Sequence, residues 1–268
     1  MDIANKTIEE FGRQWTVYSD TSGFFGSTSL LADFITPFDI SQFKGARVAD
    51  IGAGTGRFVL ALLDAEAKEV VAVEPSEAIH VIEEKTHGLA HKVTLCHTTG
   101  DKLPGNNDFD FIISIGVLHH IPDPRPVIQA AYRALKPGGK LIIWLYGKEG
   151  NELYLFFIRP LRWLSTRLPH YGKALLSQLL NIPLSIYIAL CKIFIKLPLP
   201  LQDYMVNILG NLSFSKRALV IYDQLNPTYA KYYKKQEAID LVTTQPFDVT
   251  IHHRRGYSWV VIGTKPKQ

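Results

Sequence analysis

Short apolar runs alternate with turns and with segments of helical period through the first half of the chain. Val48-Ala49-Asp50-Ile51, Val70-Val71-Ala72-Val73, Val93-Thr94-Leu95, Phe109 to Ile115 and Lys140 to Tyr146 read as strands: short and rich in apolar residues. Val127 to Leu135 has helical spacing and runs into Lys136-Pro137-Gly138-Gly139, a helix stop. This alternation of strand and helix predicts a parallel, doubly wound sheet. Toward the C-terminus, Glu237 to Val242 reads as a short helix. Val249 to His253 and Ser258 to Gly263 read as strands joined by Arg254-Arg255-Gly256-Tyr257, which predicts a hairpin.

Roughly 85 residues lie between the fifth strand and that hairpin, and a connection so long carries elements of its own. It begins with Leu153-Tyr154-Leu155-Phe156-Phe157-Ile158 and continues with Ala174 to Lys196, dense in Leu and Ile but interrupted by Pro183 and Lys192. A spanning helix needs about 20 consecutive apolar residues with few charges. The interrupted run predicts no membrane span, but two to four helices forming a lid. The chain divides into a cap (1–44), an α/β core (45–150), the lid insertion (151–233) and a C-terminal helix and hairpin completing the sheet (234–268).

Charge sharpens that division. The whole chain carries +4, but residues 151–217 hold eight bases and only two acids, Glu152 and Asp203. A segment both basic and apolar is unusual for a solvated loop. Two readings stay open: helices whose apolar faces pack on the sheet, or an amphipathic surface over 151–217 that meets a membrane or a lipid-linked molecule. Arg159-Pro160-Leu161-Arg162-Trp163-Leu164 has the mixture of bases, Trp and Leu that interfacial helices carry. Cys96 and Cys191 are too few for a disulfide framework or a zinc site, and no metal is expected. They suit a reducing, cytoplasmic compartment, with the lid as the part able to touch the inner membrane face. The start, Met1 to Lys6, has no charged-then-apolar leader, so no signal peptide is expected. Nucleic acid is not favoured, because the net charge is small and Lys231, Lys234, Lys235, Arg254 and Arg255 come without a stacking motif.

The chemistry concentrates after the first strand. Asp50-Ile51-Gly52-Ala53-Gly54-Thr55-Gly56 puts three alternating glycines between a strand and a helix. Such a turn lets a ligand approach bare backbone, with helix amides behind it. Glu74 ends the second strand, where a carboxylate accepts both hydroxyls of a ribose. A dinucleotide fingerprint would require G-x-G-x-x-G, but Arg57 holds its third glycine position.

D-x-G-x-G-x-G instead resembles the first motif of the class I S-adenosylmethionine (SAM)-dependent methyltransferases. The likeness continues in order through Glu74, Gly100-Asp101, the fourth strand into Gly116-Val117-Leu118-His119-His120-Ile121-Pro122-Asp123, and the fifth strand. The resemblance covers roughly residues 45–146. It implies a three-layer α/β/α sandwich, Rossmann-like, around a seven-stranded, mostly parallel sheet with an antiparallel last strand. It also implies SAM as cofactor and S-adenosylhomocysteine as product. By the same resemblance Asp50, Gly52, Ala53, Gly54 and Gly56 form the cofactor turn. Glu74, Pro75 and Ser76 take the ribose side, and Gly100, Asp101 and Lys102 the adenine side. Ile115, Gly116 and Val117 line the wall near the sulfonium, and Trp15 and Tyr18 close the cap.

Methyl transfer to a hydroxyl or amine needs alignment and a proton acceptor. His119 and His120, just past the fourth strand, are the candidates; the alternative is that they only shape the pocket. Tyr222, Asp223 and Tyr229 form a polar, aromatic cluster suited to a hydroxylated acceptor. The competing reading of that stretch is a helix start with Asn226 as N-cap and Pro227 first in the helix. His252 and His253 alternate across a strand, so at most one faces inward. The expected reaction is methylation of a small-molecule or lipid- or glycan-linked acceptor, at oxygen. The alternatives are carbon methylation of a quinone-like ring and a SAM-binding regulator without turnover. The sequence leaves the oligomeric state open.

Overall fold

A computed structural model describes residues 3–194, 197 and 199–267. Its elements follow in chain order as α1 (Ile3–Val17), α2 (Thr28–Ile35), β1 (Arg47–Ile51), α3 (Arg57–Asp64), β2 (Glu69–Val73), α4 (Ile79–Thr86), β3 (Val93–Cys96), β4 (Phe109–Ile115), α5 (Arg125–Ala134) and β5 (Leu135–Tyr146). The lid helices are α6 (Glu152–Ser165), α7 (His170–Ile193), α8 (Gln202–Asn207) and α9 (Phe214–Leu225), and α10 (Lys235–Val242), β6 (Asp248–Arg254) and β7 (Ser258–Thr264) complete the chain.

Strand order is β3-β2-β1-β4-β5-β7-β6. The first five strands pair in parallel, while β7 is antiparallel to both β5 and β6. The two-residue period of the strands sends alternate side chains to opposite faces. Val48, Val70, Ala72, Ile113 and Ile142 enter one core with α2, α3 and α4. Ala49, Val71, Val73, Ile112 and Ile143 enter the other with α5 and α10. Both faces are covered, which is why these strands read as continuous apolar runs. Phe109 falls out of this parity because the β4–β5 register shifts between Phe109 and Phe111.

Three sequence expectations change in detail. The helix after β4 starts at Arg125, ahead of Val127, and Leu135 already belongs to the strand. Segment 1–44 is not wholly a cap, because Leu31 and Ile35 of α2 are buried in the first core. Asn226 is the C-terminal cap of α9 rather than an N-cap, with its N–H bonded to the Tyr222 carbonyl, and Pro227 lies beyond the helix it cannot continue.

The lid carries the largest difference. Pro183 removes one backbone donor but does not divide the segment, and His170 to Ile193 is a single 24-residue helix. By length and composition it is apolar enough to cross a membrane, with a mean hydropathy of 1.7. It is nevertheless laid along α9. Lys173 Nζ donates to Asn226 Oδ1 at 3.1 Å and Asn181 Nδ2 to the Phe214 carbonyl at 2.8 Å. The hairpin ties lid to core: Arg255 pairs with Asp33 on α2 and with Asp203 on α8, and the buried Arg254 pairs with Asp33 as well.

Candidate functional site: a cavity across the strand tips

A cavity of about 430 Å³ opens over the C-terminal tips of β1, β2, β4 and β5. That is where a doubly wound sheet leaves room for a ligand. One face of α1 roofs it, with Ala4, Ile8, Phe11 and Trp15 recurring at helical spacing, and α8 and α9 close it from the lid side.

At the β1–β2 end the walls are backbone and carboxylate. Gly52, Gly54 and Gly56 have φ of 78°, 55° and 74°, in the left-handed region that favours glycine. A Cβ on Gly52 would stand 2.4 Å from Val117 Cγ2. Glu74 fastens the turn, its Oε2 accepting from the Gly54 N–H at 2.9 Å. Its Oε1 accepts from the Ser76 N–H at 3.1 Å and the Ser76 hydroxyl at 2.5 Å. A carboxylate has about four acceptor positions, so Glu74 keeps capacity for one further hydroxyl and gains a second if Ser76 turns away. Thr99, Gly100 and Asp101 continue this wall. Gly116 faces the cavity at φ 82°, and a Cβ there would meet nothing within 4 Å. The donors, acceptors and open backbone suit a nucleoside bearing an amino-acid tail.

The β4–β5 end is apolar, lined by Phe25, Phe34, Phe58, Trp144, Leu209 and Leu212, with a few polar groups set into it. His120 is buried, and its Nδ1 donates to the Tyr229 carbonyl at 2.8 Å, which leaves Nε2 as the acceptor nitrogen. Burial pushes its pKa down to about 4, so the ring is neutral at ordinary pH. Gln224 Nε2 donates to the Tyr146 hydroxyl at 2.7 Å, and its Oε1 accepts from the Tyr154 hydroxyl at 2.8 Å. Asp223 accepts from Gln14 Nε2 at 2.8 Å. Burial raises the Asp223 pKa against the pull of that bond and of Arg57. The Arg57 guanidinium lies 4.3 Å from the Phe25 ring centre and 4.4 Å from that of Phe58, with a pKa lowered to about 10 by burial.

Other anticipated residues sit elsewhere. His119 does not line the cavity. It is fully buried, stacked 3.7 Å from the Tyr146 ring, with neither ring nitrogen partnered and its pKa far below normal through burial. Tyr18 turns away from the cavity onto the rings of Tyr222 and His170, and the Tyr222 hydroxyl bonds His170 Nδ1 at 2.7 Å. Tyr229 contributes its carbonyl to His120 rather than its ring to the cavity. Lys102 is exposed outside, and Ser76 acts through Glu74. His253 stacks on Trp259 at 4.1 Å, in the sheet rather than the site. Arg57 and Tyr146 line the cavity as well, outside the expected set. Tyr146 had a signal, since it ends a strand whose tip faces the crevice, and Gln224 lay inside the stretch already singled out.

Asp50 lies beneath the turn, buried, with Oδ2 unpartnered. Desolvation raises its pKa to about 7, with Arg57 opposing and Glu74 adding to the rise. A carboxyl whose folded pKa exceeds its unfolded value stabilises the fold below the unfolded value, and that contribution is lost as pH rises through the folded one. Denaturant melts from pH 5 to 8 are therefore expected to show the wild type losing stability relative to Asp50→Asn. Parallel curves would contradict the assignment.

Comparison with known proteins agrees with this geometry. Residues 49–143 match the family model described as a methyltransferase domain. A tRNA U34 carboxymethyltransferase of Pseudoalteromonas atlantica is 31% identical over 115 residues, 42% of this chain and 36% of that protein. An uncharacterized methyltransferase of Mycobacteroides abscessus is 30% identical over 162 residues, 54% of this chain and 62% of that protein. The chain thus spans between about a third and three fifths of these two relatives. A chain in the complex between the Haloferax volcanii Trm112 methyltransferase activator and the putative methyltransferase shares the fold, with a TM-score of 0.58 at 12% identity, covering 100% of this chain and 99% of that one. The glycine turn, the acid at the tip of β2 and the matched model together identify residues 49–143 as a class I S-adenosylmethionine-dependent methyltransferase domain.

Proposed function

We propose that this chain methylates a hydroxyl on a largely apolar acceptor, a small molecule or a lipid- or glycan-linked one. The observation that carries the reading is the aromatic end of the cavity, where His120 offers an unshared ring nitrogen beside Tyr146 and Gln224.

The cofactor would be held by the amides and bare backbone of Gly52 to Gly56, by Glu74 and Asp101, and by the Gly116 recess. SAM supplies, when bound, a methyl group already activated on a sulfonium. The chain's own work is to align the acceptor, exclude water and take one proton. Phe25, Phe34, Phe58 and Trp144 give a dry wall for an apolar body, and confinement of two reactants in line contributes up to about 7–11 kcal/mol in the best cases. A pKa near 4 suits His120 to a late proton transfer. An oxygen that has gained a methyl while keeping its hydrogen is a far stronger acid than imidazolium, so a weak neutral base suffices. Arg57, over aromatic rings and near Asp223, offers a charge to an acceptor with an anionic group.

The tRNA-directed relative makes RNA the natural competing acceptor, and its match covers only 42% of this chain. The apolar lining supports the small or lipid-linked acceptor instead. Incubation with methyl-labelled SAM and fractionated cell extract is expected to label the lipid or small-molecule pool. Mass fragmentation of the product is expected to place the methyl on oxygen. Label in the RNA pool, or on a ring carbon, contradicts the reading, and SAM binding with no label in any pool indicates a regulator.

Two substitutions probe the roles. Glu74→Ala is expected to weaken SAM binding by about 1–3 kcal/mol in calorimetry, the cost of losing a charged acceptor; unchanged affinity removes Glu74 from the site. His120→Gln is expected to lower kcat about 10²–10⁴-fold with SAM affinity retained. The wild-type to variant ratio should hold constant from pH 6 to 8, because the His120 pKa lies well below that window. A ratio collapsing toward pH 6 would mean an ordinary histidine.

A further inference from the structure

The helix α7 leaves an apolar face exposed. Leu175, Leu179, Ile182, Ile186, Leu190 and Ile193 follow one another at steps of four, three, four, four and three, and each is between 41 and 70% exposed. The mean step of 3.6 residues equals the helical period, so these side chains form a straight outward stripe about 27 Å long. The inward side is mixed: Ile188 and Cys191 are buried there with Leu176, Leu180 and Leu184 half-buried, but polar residues share it. Lys173, Ser177 and Asn181 are buried against α9, where Lys173 and Asn181 make the hydrogen bonds given above, and Ser185 Oγ accepts from Arg217 Nη2 at 3.3 Å. A surface helix ordinarily buries its apolar stripe and exposes its polar one. The preceding α6 adds exposed Phe156 at 72% and Trp163 at 65%, with the Arg167 guanidinium 3.5 Å from the Trp163 ring centre.

We propose that α6 and α7 dock the enzyme onto the surface of an anionic lipid bilayer, lying in the plane of the headgroups. The charge pattern selects this occupant. From Glu152 to Asp203 there is no acidic residue between, while six bases occur, of which Arg159, Arg167 and Lys192 are exposed. A second copy packed face to face would set base against base with no acid to pair. A bilayer crossing would strip Lys173, Asn181 and Ser185 of their partners on and beside α9. An anionic bilayer offers hydrocarbon to the stripe and phosphate to its basic flank at once, the combination that interfacial helices use. The docking stands whether or not the acceptor is itself a lipid.

The test is sedimentation of the purified full chain with vesicles of phosphatidylcholine alone or mixed with phosphatidylglycerol. Binding is expected to be about tenfold or more stronger to the anionic vesicles and to fall with salt. The double substitution Ile182→Glu and Ile186→Glu is expected to abolish it, and Arg167→Glu with Lys192→Glu to remove the anionic preference. SAM affinity and circular dichroism should stay at wild-type values in both, because none of these residues lines the cavity. A folded wild type that binds neither vesicle, or binds both equally, overturns the proposal. So does a dimer in light scattering that Ile182→Glu with Ile186→Glu splits, since the face would then belong to a second copy.

Discussion

The hydrogen bond from the Gly54 amide to the Glu74 carboxylate joins the two halves of the site. It fastens the tip of β2 to the turn that follows β1, and both strands deliver their ends to the same cavity. The turn can take that path only because three residues adopt positive φ without a side chain. Val117 then fills the space beside Gly52 that a Cβ would claim. Fixed backbone at one end and a buried acid at the other make a pre-formed receptor, so little ordering remains to be done when a ligand enters. The rest of the molecule is arranged around that receptor: α1 above it, the aromatic tip of β5 beside it and the lid across it.

Much of this was legible in the residues. Alternate side chains of β1, β2 and β5 feed two separate cores, so the strands show as unbroken apolar runs, and the glycines mark backbone that no other residue adopts without strain. The distance along the chain from Gly54 to Glu74 is what a strand–helix–strand unit requires. Legibility failed where a side chain's direction depends on how helices pack. Tyr18, in the turn just past α1, and Tyr222, on α9, point away from the cavity and meet each other instead. His119 and His120 are adjacent, and only the short turn at 118–120 decides that His120 alone looks into the cavity. Arg57 had a signal, a charged residue where another cofactor class would need glycine, but nothing in the pattern told that it would lie among phenylalanines.

The lid illustrates a different limit. Periodicity reveals a stripe but not which side of the helix meets protein. In α7 apolar residues lie on both sides, and polar contacts to α9 share the inner one, so a full apolar stripe is left outside. Those contacts also reach the cavity: Lys173 bonds Asn226, Asn226 bonds Gln14, and Gln14 bonds Asp223 on the cavity wall. One chain of hydrogen bonds thus joins α7 to the cavity wall.

A sulfonium nucleoside is expected to lie across the tips of β1, β2 and β4. The most direct measurement is a crystal structure with S-adenosylhomocysteine. Ribose density is expected at Glu74, adenine beside Asp101 and the amino-acid tail along Gly52 to Gly56, with Gly116 against the thioether. Density for the nucleoside anywhere else, with side chains occupying the crevice, would contradict it.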